Sequence, residues 1–221
     1  MIIALVGPSH AEKSKIVADI NRASNGRFTR LRPLTTNPAA KAYGNYIAPS
    51  HLSEMPEENI FYSMTSDKHF KFVVLKSQFH ADRDMFYVVD DPRGIEQIAD
   101  LGIPYSVAYV SSSMRAIKKR AKEALENVTA AALRIKKISG RMKKFANSGE
   151  YSFFINTSVV DEIARHDLAL EYLERIDEWL AGRPENKLQM DTVIEIWGRN
   201  WIYKILTEQD HVLVPSWSDE A

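Results

Sequence analysis

The chain opens on an apolar run, "MIIALV", followed at once by "GPSHAEKS" at positions 7 to 14 and by "EKSKIVADINRA", where Ile16, Val17 and Ile20 share one helical face. A buried strand that turns through a glycine into a helix lets backbone N–H groups converge on an anion at the helix N-terminus. The rule for such phosphate loops is G-x-x-x-x-G-K-[ST]. Gly7, Lys13 and Ser14 comply, and Glu12 stands where the second glycine belongs. Under that rule Lys13 reaches the β- and γ-phosphates of a nucleotide and Ser14 ligates Mg²⁺. Glu12 sets a negative charge beside a polyanion, at a cost of about 1 kcal/mol if the carboxylate swings into water and a few if it is desolvated. The plainer alternative is that Gly-Pro-Ser only caps and turns into a helix.

Further short apolar runs, at Phe72–Leu75, Phe86–Val89, Val107–Val110 and Phe153–Ile155, read as buried strands. Helical patterns lie between several of them: Gly94–Leu101, Met114–Leu125 continuing to about Phe145, and Val159–Leu180. Strands alternating with helices predict an α/β fold with a largely parallel sheet. Residues 27 to 70, broken by Pro33, Pro38, Pro49 and Pro56, read as an irregular insertion. "AGRPENK" at 181 to 187 reads as a helix stop, leaving 182–221 as a C-terminal appendage. There Ile194, Trp197, Trp201 and Ile205 have helical spacing, and "HVLVP" at 211 to 215 could form a last strand. The two tryptophans are expected to pack on the main domain or on a second subunit in a homodimer.

The chain has no cysteine, which excludes disulfides and thiolate metal sites. No apolar run approaches a membrane span, and the first stretch lacks the basic flank of a signal peptide, so a cytoplasmic protein is expected. Acids and bases balance at 29 each, but between Arg115 and Lys144 eleven cations face only Glu123 and Glu126. Such a segment suits phosphate or is merely a solvated helix face. No aromatic residue interleaves with it before Phe145, which argues against nucleic acid as the partner.

Taken as a series, these segments resemble the guanylate kinase family of nucleoside monophosphate kinases. "GPSHAEKS" looks like that family's "GPSGVGKS". "RFTRLRP" at 27 to 33 is similar to its acceptor-phosphate arginine segment, and "YGNYIAP" at 43 to 49 to its Gly-x-x-Tyr-x-Phe stretch. "YVVDDPRG" at 87 to 94 resembles its strand-end "LDIDxQG". "VAYVSSSMRAIKKRAK" at 107 to 122 resembles the approach to its lid, and "YSFFINTSVVDEI" at 151 to 163 its "YDYVIVNDDLDEA". The resemblance covers roughly residues 1 to 180. It implies a P-loop NTPase-type parallel sheet flanked by helices, over 1–181, with an acceptor-binding insertion at about 27–70 and a lid with its flanking helices at about 115–145.

It also implies the transfer of a phosphoryl group from ATP, with Mg²⁺, to a nucleoside or deoxynucleoside monophosphate. Gly7, Ser9, Glu12, Lys13, Ser14 and Asn156 would contact ATP, with Ser14 as the metal ligand. Arg30, Arg32, Tyr46 and Asp91 would meet the acceptor. Lys13, Arg120, Arg134, Arg141 and Asp91 would act in catalysis. Ala124 stands where a third lid cation is expected, and Met64 or Thr65 near the family's guanine-reading glutamate. The base is therefore left open, and so is a second reading: an inactive module of this type that binds nucleotide or protein as a scaffold.

Overall fold

The structure is a computed structural model and describes residues 1–39, 44–66, 69–158, 162–181 and 194–196, with 162–164, 179–180 and 194–196 described by their backbone alone. Its elements run β1 (Ile2–Val6), α1 (Lys13–Ala23), β2 (Thr29–Arg30), β3 (Leu34–Thr35), β4 (Asn45–Tyr46), α2 (Pro49–Ser53), β5 (Ile60–Thr65) and β6 (Lys71–Leu75). Then follow β7 (Met85–Val89), β8 (Tyr105–Ser111), α3 (Met114–Glu123), α4 (Val128–Ser148), β9 (Phe153–Asn156), α5 (Glu162–Ala181) and β10 (Ile194–Ile196). The main sheet has the order β2-β7-β1-β8-β9-β10, and every pair in it is parallel. The α/β fold read from the alternation of strands and helices is what the chain adopts.

The apolar runs are continuous because the sheet is covered on both faces. Successive residues of β1 point to opposite sides. Ile3 and Leu5 join Ile16, Val17 and Ile20 of α1 and Leu168, Tyr172 and Ile176 of α5. Ile2, Ala4 and Val6 join Tyr87, Tyr109 and Phe154 and, from α4, Met142, Phe145 and Ala146. From β1 the chain first fills one side of the sheet with β2 and β7, then crosses to β8 on the other. In such sheets the crevice beyond the carboxyl ends of the strands, at that reversal, is where ligands bind. The Gly7–Ser14 loop, Asp90 and Asp91, Ser112 and Thr157 all follow those ends.

Four sequence expectations are corrected. The insertion is not irregular: it carries a second sheet of order β4-β3-β6-β5, in which Phe72–Leu75 pairs antiparallel with β5. Its first strands are only two residues long, too short for a period of two to emerge. Gly94–Leu101 forms no α-helix but short 3-10 turns at Pro92–Ile95 and Ile98–Leu101, ended by Gly102 at φ 64°. The long helix of the lid segment is two helices, parted at Leu125, whose φ is 55°, and restarted by Asn127, whose side chain accepts from the Ala130 N–H at 3.1 Å. Ile194–Ile196 is a strand on the edge of the main sheet beside β9, where helical spacing was read. Trp197, Trp201, Ile205 and 211–215 lie outside the described residues. No helix among the described residues is long and apolar enough to cross a membrane.

Candidate functional site

Gly7 ends β1 where no side chain fits: a Cβ there would lie 2.1 Å from the Val110 carbonyl oxygen. The loop then turns through two left-handed residues, His10 at φ 63° and Glu12 at φ 66°. Each costs roughly 1–2 kcal/mol in an L-residue. These are the two positions at which "GPSGVGKS", the motif the loop resembles, has glycine. α1 begins at Lys13, and the amides of Glu12, Lys13 and Ser14 make no hydrogen bond among the described residues. The start of a helix is the positive end of its dipole, where unbonded amides favour negative charge. Lys13 is buried beneath it and donates through Nζ to the Gly7 and Pro8 carbonyls at 2.6 and 2.7 Å, with Asp90 Oδ1 at 2.8 Å.

The Glu12 carboxylate lies in a cluster of cations. Lys15 Nζ is at 2.8 Å, Arg165 Nη1 at 3.2 Å and Arg120 Nε at 3.5 Å, and the Glu12 side chain is 7% exposed. Arg120 is pinned further by the carbonyls of His10, at 3.2 Å, and Thr157, and by Ser112 Oγ at 2.9 Å. It therefore ties the loop to the ends of β8 and β9. Burial pushes the Arg120 guanidinium below its ordinary pKa, although Glu12 opposes this.

Of three more paired carboxylates, Asp90 and Glu126 reach the loop and Asp91 does not. Asp90 accepts from Ser9 Oγ at 2.7 Å as well as pairing with Lys13. Desolvation pushes its pKa up, but the Lys13 charge and hydrogen bond, then Ser9 and Arg134, outweigh it and hold the carboxyl below its ordinary value. Asp91 is buried and takes two bonds from Arg141, at 3.0 and 2.7 Å, and two from the Arg93 guanidinium, at 3.1 and 2.8 Å. Burial again pushes up, and Arg141 and Arg93 win. Glu126, in the turn between α3 and α4, meets His10 Nε2 at 2.6 Å and also pairs with Arg134. Its pKa is low for the same reason: burial opposes, and Arg134 and His10 prevail.

Arg30, at the end of β2, donates to Ser14 Oγ at 2.9 Å and has no acidic partner among the described residues. Burial, then the neighbouring charge of Arg32, lowers its pKa. Tyr46 on β4 is 56% exposed. Asn156 ends β9 with Oδ1 accepting from the Ser158 N–H at 2.9 Å.

The structure therefore gathers Gly7, Ser9, Glu12, Lys13, Ser14, Arg30 and Arg120 around one loop, with Arg134 reaching it through Glu126. Asp91 and Arg141 form a separate pair beside Arg93, and Asp90 rather than Asp91 faces Lys13. Sequence reading left Glu126, Arg165 and Tyr62 out of the site. Tyr62 on β5 has a buried hydroxyl without a hydrogen-bond partner among the described residues. Burial and the charges of Asp91 and Asp90, against Arg93 and Arg141, push its pKa to about 12. No group of three or more His, Asp or Glu residues that could hold a metal occurs among the described residues. A separate cleft of about 760 Å³, floored by Ile98, Val107 and Phe145, reaches Arg93 and Arg141 but no residue of the loop.

No protein-family model matches the chain, and no curated protein matches its sequence. Among solved structures, it is similar to a guanylate kinase from Anaplasma phagocytophilum, with TM-score 0.46 and 14% identity over 95% of this chain and 94% of that one. It is also similar to an uncharacterized protein from Eubacterium ventriosum, with TM-score 0.45 and 13% identity over 83% and 99%. The reading of the site stands on its own residues.

Proposed function

We propose that the chain is a nucleotide phosphotransferase of the nucleoside monophosphate kinase type, moving the γ-phosphoryl group of ATP to a nucleoside or deoxynucleoside monophosphate. The observation that carries this is the loop between β1 and α1. It holds left-handed geometry at His10 and Glu12, three amides at the start of α1 that are unpaired among the described residues, and a buried lysine beneath them. That is a costly arrangement for a mere turn, and it has the donors that a polyphosphate needs.

In this reading the amides of Glu12, Lys13 and Ser14 bind the donor phosphates, and Lys13 exchanges its contacts with the Gly7 and Pro8 carbonyls for phosphate oxygens. Arg30 and Arg32 hold the acceptor phosphate, with Tyr46 and the Tyr62 hydroxyl at its edge. An acceptor oxygen attacks the γ-phosphorus, the bond to the bridging oxygen breaks, and ADP leaves. Positioning and charge neutralisation supply most of the catalysis in such a step. The oxygen-bearing groups Ser14 and Asp90 suit Mg²⁺, which keeps several waters and needs few protein ligands. Bound there, Mg²⁺ would neutralise charge on the phosphates. Glu126 occupies His10 and Arg134, so phosphate entry would displace that carboxylate and free Arg134 for the transferring group.

A specific observation favours the second reading, a nucleotide- or protein-binding scaffold. Arg120 and Arg141, two of the cations expected to act on the transferring group, are held by the chain's own carbonyls and carboxylates. Incubation with ATP, Mg²⁺ and each common ribo- and deoxynucleoside monophosphate, followed by detection of the diphosphate, separates the two. Transfer that is lost in Lys13→Ala supports the kinase and names its acceptor. Lys13-dependent binding of ATP with no transfer to any acceptor supports the scaffold.

A further inference from the structure

We infer that Arg165 of α5 is a positioning residue of the loop: it neutralises the Glu12 carboxylate and holds it off the anion that the neighbouring amides would take. This rests on the reading of that loop as a polyphosphate site. Glu12 directly precedes Lys13, and its backbone conformation is fixed, so only its side chain can be steered. Three cations reach it. Lys15 is 61% exposed and sits one turn along the same helix, where water screens the pair. Arg120 is anchored without Glu12, by Ser112 and the carbonyls of His10 and Thr157, and stands at the longer distance of 3.5 Å.

Arg165 differs from both. As enclosed as Arg120, each being 13% exposed, it donates through Nε to Asp19 Oδ2 at 2.7 Å and reaches Glu12 Oε2 through Nη1 at the shorter distance of 3.2 Å. Asp19 is itself buried in α1. One planar fork thus binds Glu12 to the helix that Glu12 precedes, a geometry that a lysine cannot reproduce. Without Arg165 a nearly buried carboxylate loses its closest buried cation and is left beside the phosphate site, where like charge repels the ligand.

The test is the affinity of the full chain for ATP and for inorganic tripolyphosphate by titration calorimetry, with thermal unfolding run on every variant. Arg165→Ala should weaken both ligands about tenfold, the scale of one unscreened charge contact. Adding Glu12→Gln to Arg165→Ala should restore most of that loss, because the amide keeps the shape and removes the charge. A purely structural role for Arg165 predicts no such rescue. Unchanged affinity in Arg165→Ala, or a loss that Glu12→Gln does not repair, overturns the inference and leaves the loop reading intact. If Arg165→Ala does not fold, Arg165→Lys with and without Glu12→Gln makes the same comparison, and a loss that is repaired or unrepaired decides it the same way. Wild-type binding indifferent to Lys13→Ala overturns the loop reading and this inference together.

Discussion

Glu12 shows how a forbidden residue is accommodated. Its side chain could have lain across the amides that open α1, and instead Arg165, Lys15 and Arg120 draw it aside. Gly7 has no such latitude. Its missing Cβ is the space that the Val110 carbonyl occupies, so Gly7→Ala should cost more than about 3 kcal/mol in stability, read as a large fall in Tm. Asp91 sets a pH dependence. Its pKa is lower folded than unfolded, so the stability it contributes is complete above the ordinary carboxylate value of about 4 and is lost as pH falls through the folded value. Asp90 and Glu126 shift the same way. Urea unfolding between pH 7 and pH 3 should show a decline in acid that is shallower in Asp91→Asn, a variant already weaker at pH 7 by about 2 kcal/mol. An unaltered acid limb in that variant would remove Asp91 from the explanation. The sequence showed Lys13 and Ser14 because their signal is local. It could not show Arg165, which lies 153 residues from Glu12.

Among the elements, β1, α1, β7, β8 and β9 were readable because each buries a long apolar run or a full helical face. The second sheet was hidden, since β3 and β4 are two residues long and β3 finds β6 across much of the insertion. The α3–α4 pair was read as one helix because nothing in the composition marks Leu125, which stands 95% exposed at φ 55°. That turn carries Glu126, and with it the clasp on His10 and Arg134. Glu126→Gln removes the charge that competes with phosphate, so ATP affinity should rise about fivefold by calorimetry. Equal or weaker binding would mean that the clasp does not guard the site.

At the scale of the whole molecule, the parallel sheet places the loop, the two acids after β7 and the ends of β8 and β9 at one rim, and the second sheet carries Tyr46 and Tyr62. The sheet extends to β10, within the segment first read as an appendage. Truncation after Ala181 would leave the β9 edge unpaired, and should lower Tm and promote self-association by light scattering. A truncated chain as stable and monodisperse as the full one would show that β10 adds nothing to the fold. The central claim is that the loop still binds phosphate with glutamate at a glycine position. Its most direct test is a titration of ¹⁵N-labelled protein with inorganic tripolyphosphate, following the backbone amides. Saturable shifts of the Glu12, Lys13 and Ser14 amides, abolished in Lys13→Ala, are the predicted result. Amides of the loop that stay unmoved while tripolyphosphate binds elsewhere, or does not bind at all, would contradict it.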